Sequence, residues 1–180
     1  MVFCLKIKWK PLKPNYKHNL LKGMSCKVRY WRILIRYKMN YDFSTLSSKE
    51  FEILSCDLLN AKFNETKKYG EFRNFKEGKD KGIDLLYSTQ NNNYKVVVQI
   101  KHYIKSSFSN LKRDLIKNEK TKVKLLNPES YFFITSQELS VENKKNIQEI
   151  FNPFILSIDD IYGQEDLNAL LRKYPIVEEK

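Results

Sequence analysis

Three residues in the middle of the 180-residue chain carry groups that can act together on a phosphate ester: the Asp84 carboxylate, the Gln99 side-chain oxygen and the Lys101 amine. Mg2+ and Mn2+ favour hard oxygen ligands, usually one or two carboxylates completed by water and substrate oxygens. In such a site Asp84 is the anionic ligand and Gln99 a neutral one. Lys101 orients or deprotonates an attacking water, or offsets charge developing on the scissile phosphate. An amide in place of a second acid leaves the metal one negative charge short. Glu52, beside Phe51 at the margin of an apolar helical stripe, is the candidate to restore it.

The elements that must bring these groups together are legible locally. Ile83–Ser88 and Tyr94–Lys101 are β-rich runs around an Asn-rich turn and predict a hairpin. Centred between Asn91 and Asn92, it pairs Asp84 with Gln99 and Leu86 with Val97. Cross-strand partners share a face, as do residues two apart on one strand. Asp84, Gln99 and Lys101 therefore project from one side. Ile83, Leu85, Tyr87, Val96, Val98 and Ile100 make the other side wholly apolar, which calls for a covering helix. A slip of one residue would move Asp84 to that apolar side.

Around the hairpin, Ser47 and Glu50 form a capping box for a helix over about 48–62. Phe51, Leu54, Leu58 and Lys62 follow at helical spacing, with Ile53, Leu59 and Phe63 widening the apolar face. Glu71–Phe75 reads as a short strand, and Gly78 to Gly82 as a charged loop. Residues 106–126 read as a helix with Phe108, Leu111, Leu115 and Ile116 inward. Tyr131–Thr135 is an apolar strand of the kind buried on both faces. A helix from Ser140 to about Phe151, a strand at Phe154–Ile158 and a helix at Gln164–Lys173 before Pro175 complete the order. The pattern predicts an α/β fold with a mixed central β-sheet flanked by helices.

Other polar residues have ordinary structural readings beside functional ones. Glu52 could pair with a lysine one turn away, an exposed contact of small value. Asp80 shares parity with Asp84 but lies ~13 Å upstream along an extended strand. His102 falls on the other face and reads as structural. Lys79, Lys81, Lys105 and Ser136 are the candidate DNA contacts. Lys112, Arg113 and Lys117 read as a solvated helix face.

The net charge of +12 suggests nucleic acid, but its distribution weakens the inference. Residues 1–38 hold eleven Lys and Arg and no acid, leaving 22 basic against 21 acidic residues beyond. The expected division is a basic extension over 1–38, a domain over 39–175 with Met39 as its candidate start, and a tail over 176–180. Trp9, Tyr16, Tyr30 and Trp31 could stack on bases within that extension, or the segment could lie on a membrane surface. Three scattered cysteines at no metal-ligand spacing argue against a zinc site or disulfide framework and for the cytoplasm. No apolar run reaches the length of a spanning helix, so no membrane partner is expected.

Gly82-Ile83-Asp84 followed by Val98-Gln99-Ile100-Lys101-His102 resembles the PD-(D/E)xK nuclease superfamily, and within it the Mrr-like restriction endonucleases that carry Q-x-K. Phe51-Glu52, the Gly78–Gly82 loop and Phe133-Ile134-Thr135-Ser136 extend the resemblance over about 41–175. It implies a restriction-endonuclease-like three-layer fold and Mg2+- or Mn2+-dependent hydrolysis of DNA. Glu52, Asp84, Gln99 and Lys101 are the matching catalytic positions, with Asp84, Gln99 and Glu52 on the metal. It further implies defence against foreign DNA, pairing into a homodimer, and a partner supplying targeting or NTPase function. The missing second acid keeps a non-catalytic nucleic-acid-binding or adaptor module as the alternative, with a branched-DNA resolvase behind it.

Overall fold

The computed structural model describes residues 40–66, 69–74, 85–88, 94–104 and 106–178. The basic extension, the Gly78–Gly82 loop with Lys79, Asp80 and Lys81, Asp84, the Asn91–Asn93 turn and Lys105 lie outside the described residues.

The fold begins with a 3-10 turn at Phe43–Thr45, capped by Asp42, whose Oδ1 accepts from Ser44 N at 3.0 Å. Helix α1, Ser48–Thr66, then starts on the expected capping box. Ser47 N donates to Glu50 Oε2 at 2.8 Å and Glu50 N to Ser47 Oγ at 3.3 Å, so two orphan N–H groups are satisfied reciprocally. Strands β1 (Arg73–Asn74), β2 (Leu85–Ser88) and β3 (Tyr94–Lys101) run antiparallel. Leu85 pairs with Val98, Leu86 with Val97 and Tyr87 with Val96, the register expected from the turn. A bulge follows, so that Ser88 meets Tyr94.

A helical crossover leads from β3 to β4, Ser130–Thr135, which pairs with β3 in parallel. The crossover consists of α2 (Phe108–Asp114), a π-helical turn (Leu115–Glu119) and α3 (Lys120–Leu126). Helix α4, Val141–Ile150, is capped by Ser140, whose Oγ accepts from Asn143 N at 3.1 Å. Strand β5, Ile161–Tyr162, joins β4 in parallel, and α5 (Gln164–Lys173) and α6 (Pro175–Glu178) follow. The mixed sheet has the order β1-β2-β3-β4-β5.

Strand alternation divides the interior into two cores. Val96, Val98, Ile100, Phe132, Ile134 and Tyr162 pack with α1 and α5 through Phe51, Leu54, Leu58, Leu167 and Leu171. Val97, Tyr131, Phe133 and Ile161 pack with the crossover and α4 through Leu111, Leu115, Val123 and Ile147. Every residue of β4 is buried, as a strand between two helical layers requires. At the edge of the first core Tyr41 N donates to Asn168 Oδ1 at 2.6 Å and Tyr41 OH to Glu178 Oε2 at 2.8 Å. Asn40 Nδ2 also reaches Glu165 Oε1 at 3.3 Å.

Three expectations fail for identifiable reasons. No strand forms at Phe154–Ile158: Phe154 O accepts from Tyr131 N at 2.9 Å, and Ile155 enters the second core from a loop. Ser157 and Asp160 then cap a 3-10 turn at Ile158–Asp160, which delays the strand to Ile161. Ile53 is exposed because Leu54 and Leu58 already fill the contact of α1 with the sheet. Ile116 is 48% exposed because the π-turn rotates the crossover helix away from the α-helical phase.

Candidate active site

Parity along β3 sends Gln99 and Lys101 to the same side as Val97, beneath the crossover helices. The crossover covers this side: Gln99 is only 2% exposed. Its side chain accepts a hydrogen bond from Tyr131 OH and donates one to Glu119. Lys101 Nζ lies 2.8 Å from Glu119 Oε1 and 3.7 Å from Asp114 Oδ2. Lys122 reaches both Glu119 oxygens more loosely, Oε2 at 3.3 Å and Oε1 at 3.4 Å. Glu119 is 3% exposed and the most deeply placed acid of the site.

The helix phase explains how a glutamate comes to lie there. Leu111, Leu115, Glu119 and Val123 recur every fourth residue, and in a regular α-helix each such step drifts by about 40°. The π-turn closes with Lys120 N on Leu115 O and takes up the drift, so all four stay over the sheet. Asp114 is held beside this row. Its Oδ2 accepts from Tyr103 OH at 2.8 Å, and Ser136 fixes the Tyr103 backbone by accepting from Tyr103 N at 2.9 Å and donating to Tyr103 O at 3.1 Å.

Burial pushes the Glu119 carboxyl up, but hydrogen bonds from Lys101 and Gln99 and the charges of Lys101 and Lys122 outweigh it. The carboxyl titrates below its ordinary value. Burial also opposes ionisation of Asp114, which Asn118, Tyr103 and the two lysines reverse. Burial and the neighbouring Asp114 carboxylate raise the Tyr103 phenol to about 12. Both carboxyls are depressed in the folded state, so their stabilisation is complete above the unfolded values and fades as pH falls through the depressed ones. Urea unfolding should therefore show stability declining as pH drops below the ordinary values of 4.5 for Glu and 3.8 for Asp. Stability that rises on acidification through that window would remove the ion pairs from the account.

The sequence-derived residues meet different fates. Gln99 and Lys101 share one face and one carboxylate. Glu52 sits on the first turns of α1 and pairs with Lys49 at 3.0 Å, the local i,i+3 contact that is its ordinary reading. His102 stacks on Phe51 with centroids 4.6 Å apart, and its Nε2 donates to Leu46 O at 2.9 Å, which makes it structural. Ser136 sits just past the end of β4, and its Oγ donates to Tyr103 O at 3.1 Å. Asp84, Lys79, Lys81 and Lys105 lie outside the described residues. Glu119, Asp114, Tyr103 and Tyr131 were not singled out from sequence. An acid on the every-fourth-residue apolar row was the signal for Glu119.

The donors here are hard oxygens with no described cysteine or histidine among them, which suits Mg2+ or Mn2+ in kind. They fall short in number. Among the described residues no three His, Cys, Asp or Glu side chains gather where they could hold a metal ion. Glu119 is balanced by two lysines, and one lone pair of the Gln99 oxygen is taken by Tyr131.

Residues 43–161 match the family of restriction endonucleases in its Mrr-type catalytic form. The chain belongs to the Mrr-type restriction endonuclease family. The matched stretch runs from the 3-10 turn before α1 to the first residue of β5, so the restriction-endonuclease domain contains the whole Gln99–Lys101–Glu119 cluster. A protein of Sinorhizobium fredii (strain NBRC 101917 / NGR234), Uncharacterized protein y4cD, is 39% identical over 137 residues. That stretch is 76% of this chain and 20% of that protein, so the domain spans about a fifth of the curated relative it matches. No solved structure matches the chain. No helix among the described residues is long and apolar enough to cross a membrane.

Proposed function

We propose that this domain is a DNA endonuclease that hydrolyses phosphodiester bonds with Mg2+ or Mn2+ and acts in the cytoplasm against foreign DNA. The observation that carries the reading is the placement of Gln99 and Lys101 on one face at the end of β3, in a chain of the restriction endonuclease family. Asp84 is the anionic metal ligand, with Gln99 and Glu52 as further ligands. Glu52 must leave Lys49 to take that role.

A divalent ion at such a site supplies Lewis acidity and a more acidic bound water. The protein supplies position and charge. Lys101, held by Glu119 and Asp114 and still 24% exposed, presents its ammonium where negative charge grows on the phosphate. Lys79, Lys81, Lys105 and Ser136 contact the DNA backbone, with the extension over 1–38 adding phosphate contacts outside the 39–175 domain. Cutting both strands calls for a second copy of the domain, and target choice for a partner protein with NTPase or sensing function.

The adaptor reading draws on one specific observation: Lys101 is paired with two carboxylates and Gln99 stands where a second acid could ligate. Incubation of the whole chain with supercoiled plasmid separates the two. Nicked and linear products with Mg2+ or Mn2+, absent with EDTA, are the expected result. DNA retention without cleavage under every divalent metal, falling steeply with salt, would replace the enzyme by the adaptor.

A further inference from the structure

We infer that Glu119 is a positioning residue for catalysis: its buried carboxylate fixes the Lys101 ammonium at the reacting phosphate. This role rests on the nuclease reading above and adds a residue from the crossover to the sheet-borne set. Three observations carry it. Glu119 is an acid placed almost fully out of water, where an unpaired charge is costly, and it is kept there by a local π-turn. π-turns are rare and recur at functional sites. Lys101 holds Oε1 at 2.8 Å, while Lys122 spans both oxygens at 3.4 Å and 3.3 Å, so the shortest contact of the carboxylate is the one to Lys101.

The third observation is that Glu119 also takes a hydrogen bond from Gln99, so it contacts both polar members of the strand motif at once. Gln99 is in turn held by Tyr131. A flexible four-carbon amine is thereby tied to a rigid anchor whose own orientation is set from two sides. The second carboxylate, Asp114 at 3.7 Å, limits the swing of Nζ from the side of Tyr103. An ammonium held in this way need not be ordered when substrate binds, which is the basis of electrostatic preorganisation. In an unbroken α-helix the side chain at 119 would sit ~40° round from that of Leu115.

The test is a kinetic comparison of wild type, Glu119→Gln and Glu119→Asp on plasmid, with and without Lys101→Met. If charge anchors the lysine, Glu119→Gln, nearly isosteric but neutral, should lower kcat on the order of tenfold to a hundredfold with KM for DNA near wild type. Glu119→Asp, shorter but anionic, should recover much of that loss. In the Lys101→Met background Glu119→Gln should cost nothing further, because the two residues act as one unit. A purely structural Glu119 predicts the reverse order, with Gln tolerated better than Asp, and the same loss with or without Lys101. Either of those results overturns the inference while leaving cleavage by the wild type intact. A wild type inert under every divalent metal overturns the nuclease reading itself. Where Glu119→Gln does not fold, the same cycle run with Glu119→Asp decides the matter, since its smaller loss must also vanish without Lys101.

Discussion

An Asp84→Asn variant is expected to cut supercoiled plasmid about a thousandfold more slowly than wild type in saturating Mg2+. The magnitude follows from what a metal contributes. Lewis-acid stabilisation of a phosphoryl transition state is worth several kcal/mol, and each ~1.4 kcal/mol is a factor of ten in rate. Glu119 does not replace Asp84, because its charge is balanced by Lys101 and Lys122, and Glu52 alone leaves the metal one carboxylate short. Asn keeps the size and one oxygen of Asp, so circular dichroism and the urea midpoint should stay close to wild type. Higher metal concentration should recover part of the rate, since Asn weakens rather than deletes the ligand. Equal cutting by wild type and Asp84→Asn would remove Asp84 from the site and require another anionic ligand.

Replacing Lys101 with Met should damage both chemistry and stability, and the two losses can be separated by pH. Cleavage should fall about a hundredfold or more, the usual scale for deleting one preorganised charge at a reacting centre. Folding should weaken by about 3 kcal/mol, the lower end of what is found when one partner of a buried pair is removed, because Lys101 retains some contact with solvent. Glu119 loses its strongest partner in the variant and is left buried with only Lys122 and Gln99 to offset its charge. Its carboxyl should therefore take up a proton at higher pH than in the wild type. The stability penalty of Lys101→Met should consequently be greatest near neutral pH and shrink on acidification. Urea titrations of both proteins at neutral and acidic pH measure this directly. A penalty that does not vary with pH would mean that Glu119 is not the group left stranded.

The strand register and much of the helix pattern were legible in the sequence because they rest on local rules. The Asn-rich turn and the alternation of Val96 to Ile100 set the pairing of Leu86 with Val97, and Ser47 with Glu50 marked the start of α1. The side that Gln99 and Lys101 share was legible too. Its covering was not. Two β-rich runs with a polar face read equally well as an open hairpin, and only the crossover from β3 to β4 closes that face. The π-turn is the deeper reason. Period arguments assume a constant twist per residue, so Ile116 was placed inward, although the i+5 closure at Lys120 exposes it and puts Glu119 on the sheet. The displaced final strand has a similar origin. Phe154 to Leu156 have strand-like composition, but that stretch is occupied by a contact with Tyr131, and the caps at Ser157 and Asp160 postpone pairing to Ile161.

The bonds from Asn40 and Tyr41 to Glu165, Asn168 and Glu178 bear on how such a domain can be used. The described polypeptide enters and leaves at one corner of the molecule. A unit with its two ends side by side hangs from a larger protein like a pendant, and can be inserted into a surface loop without prising that loop apart. Among the described residues the five strands of the sheet follow one another in chain order. Such a unit can be joined to unrelated neighbours while its interior stays unchanged.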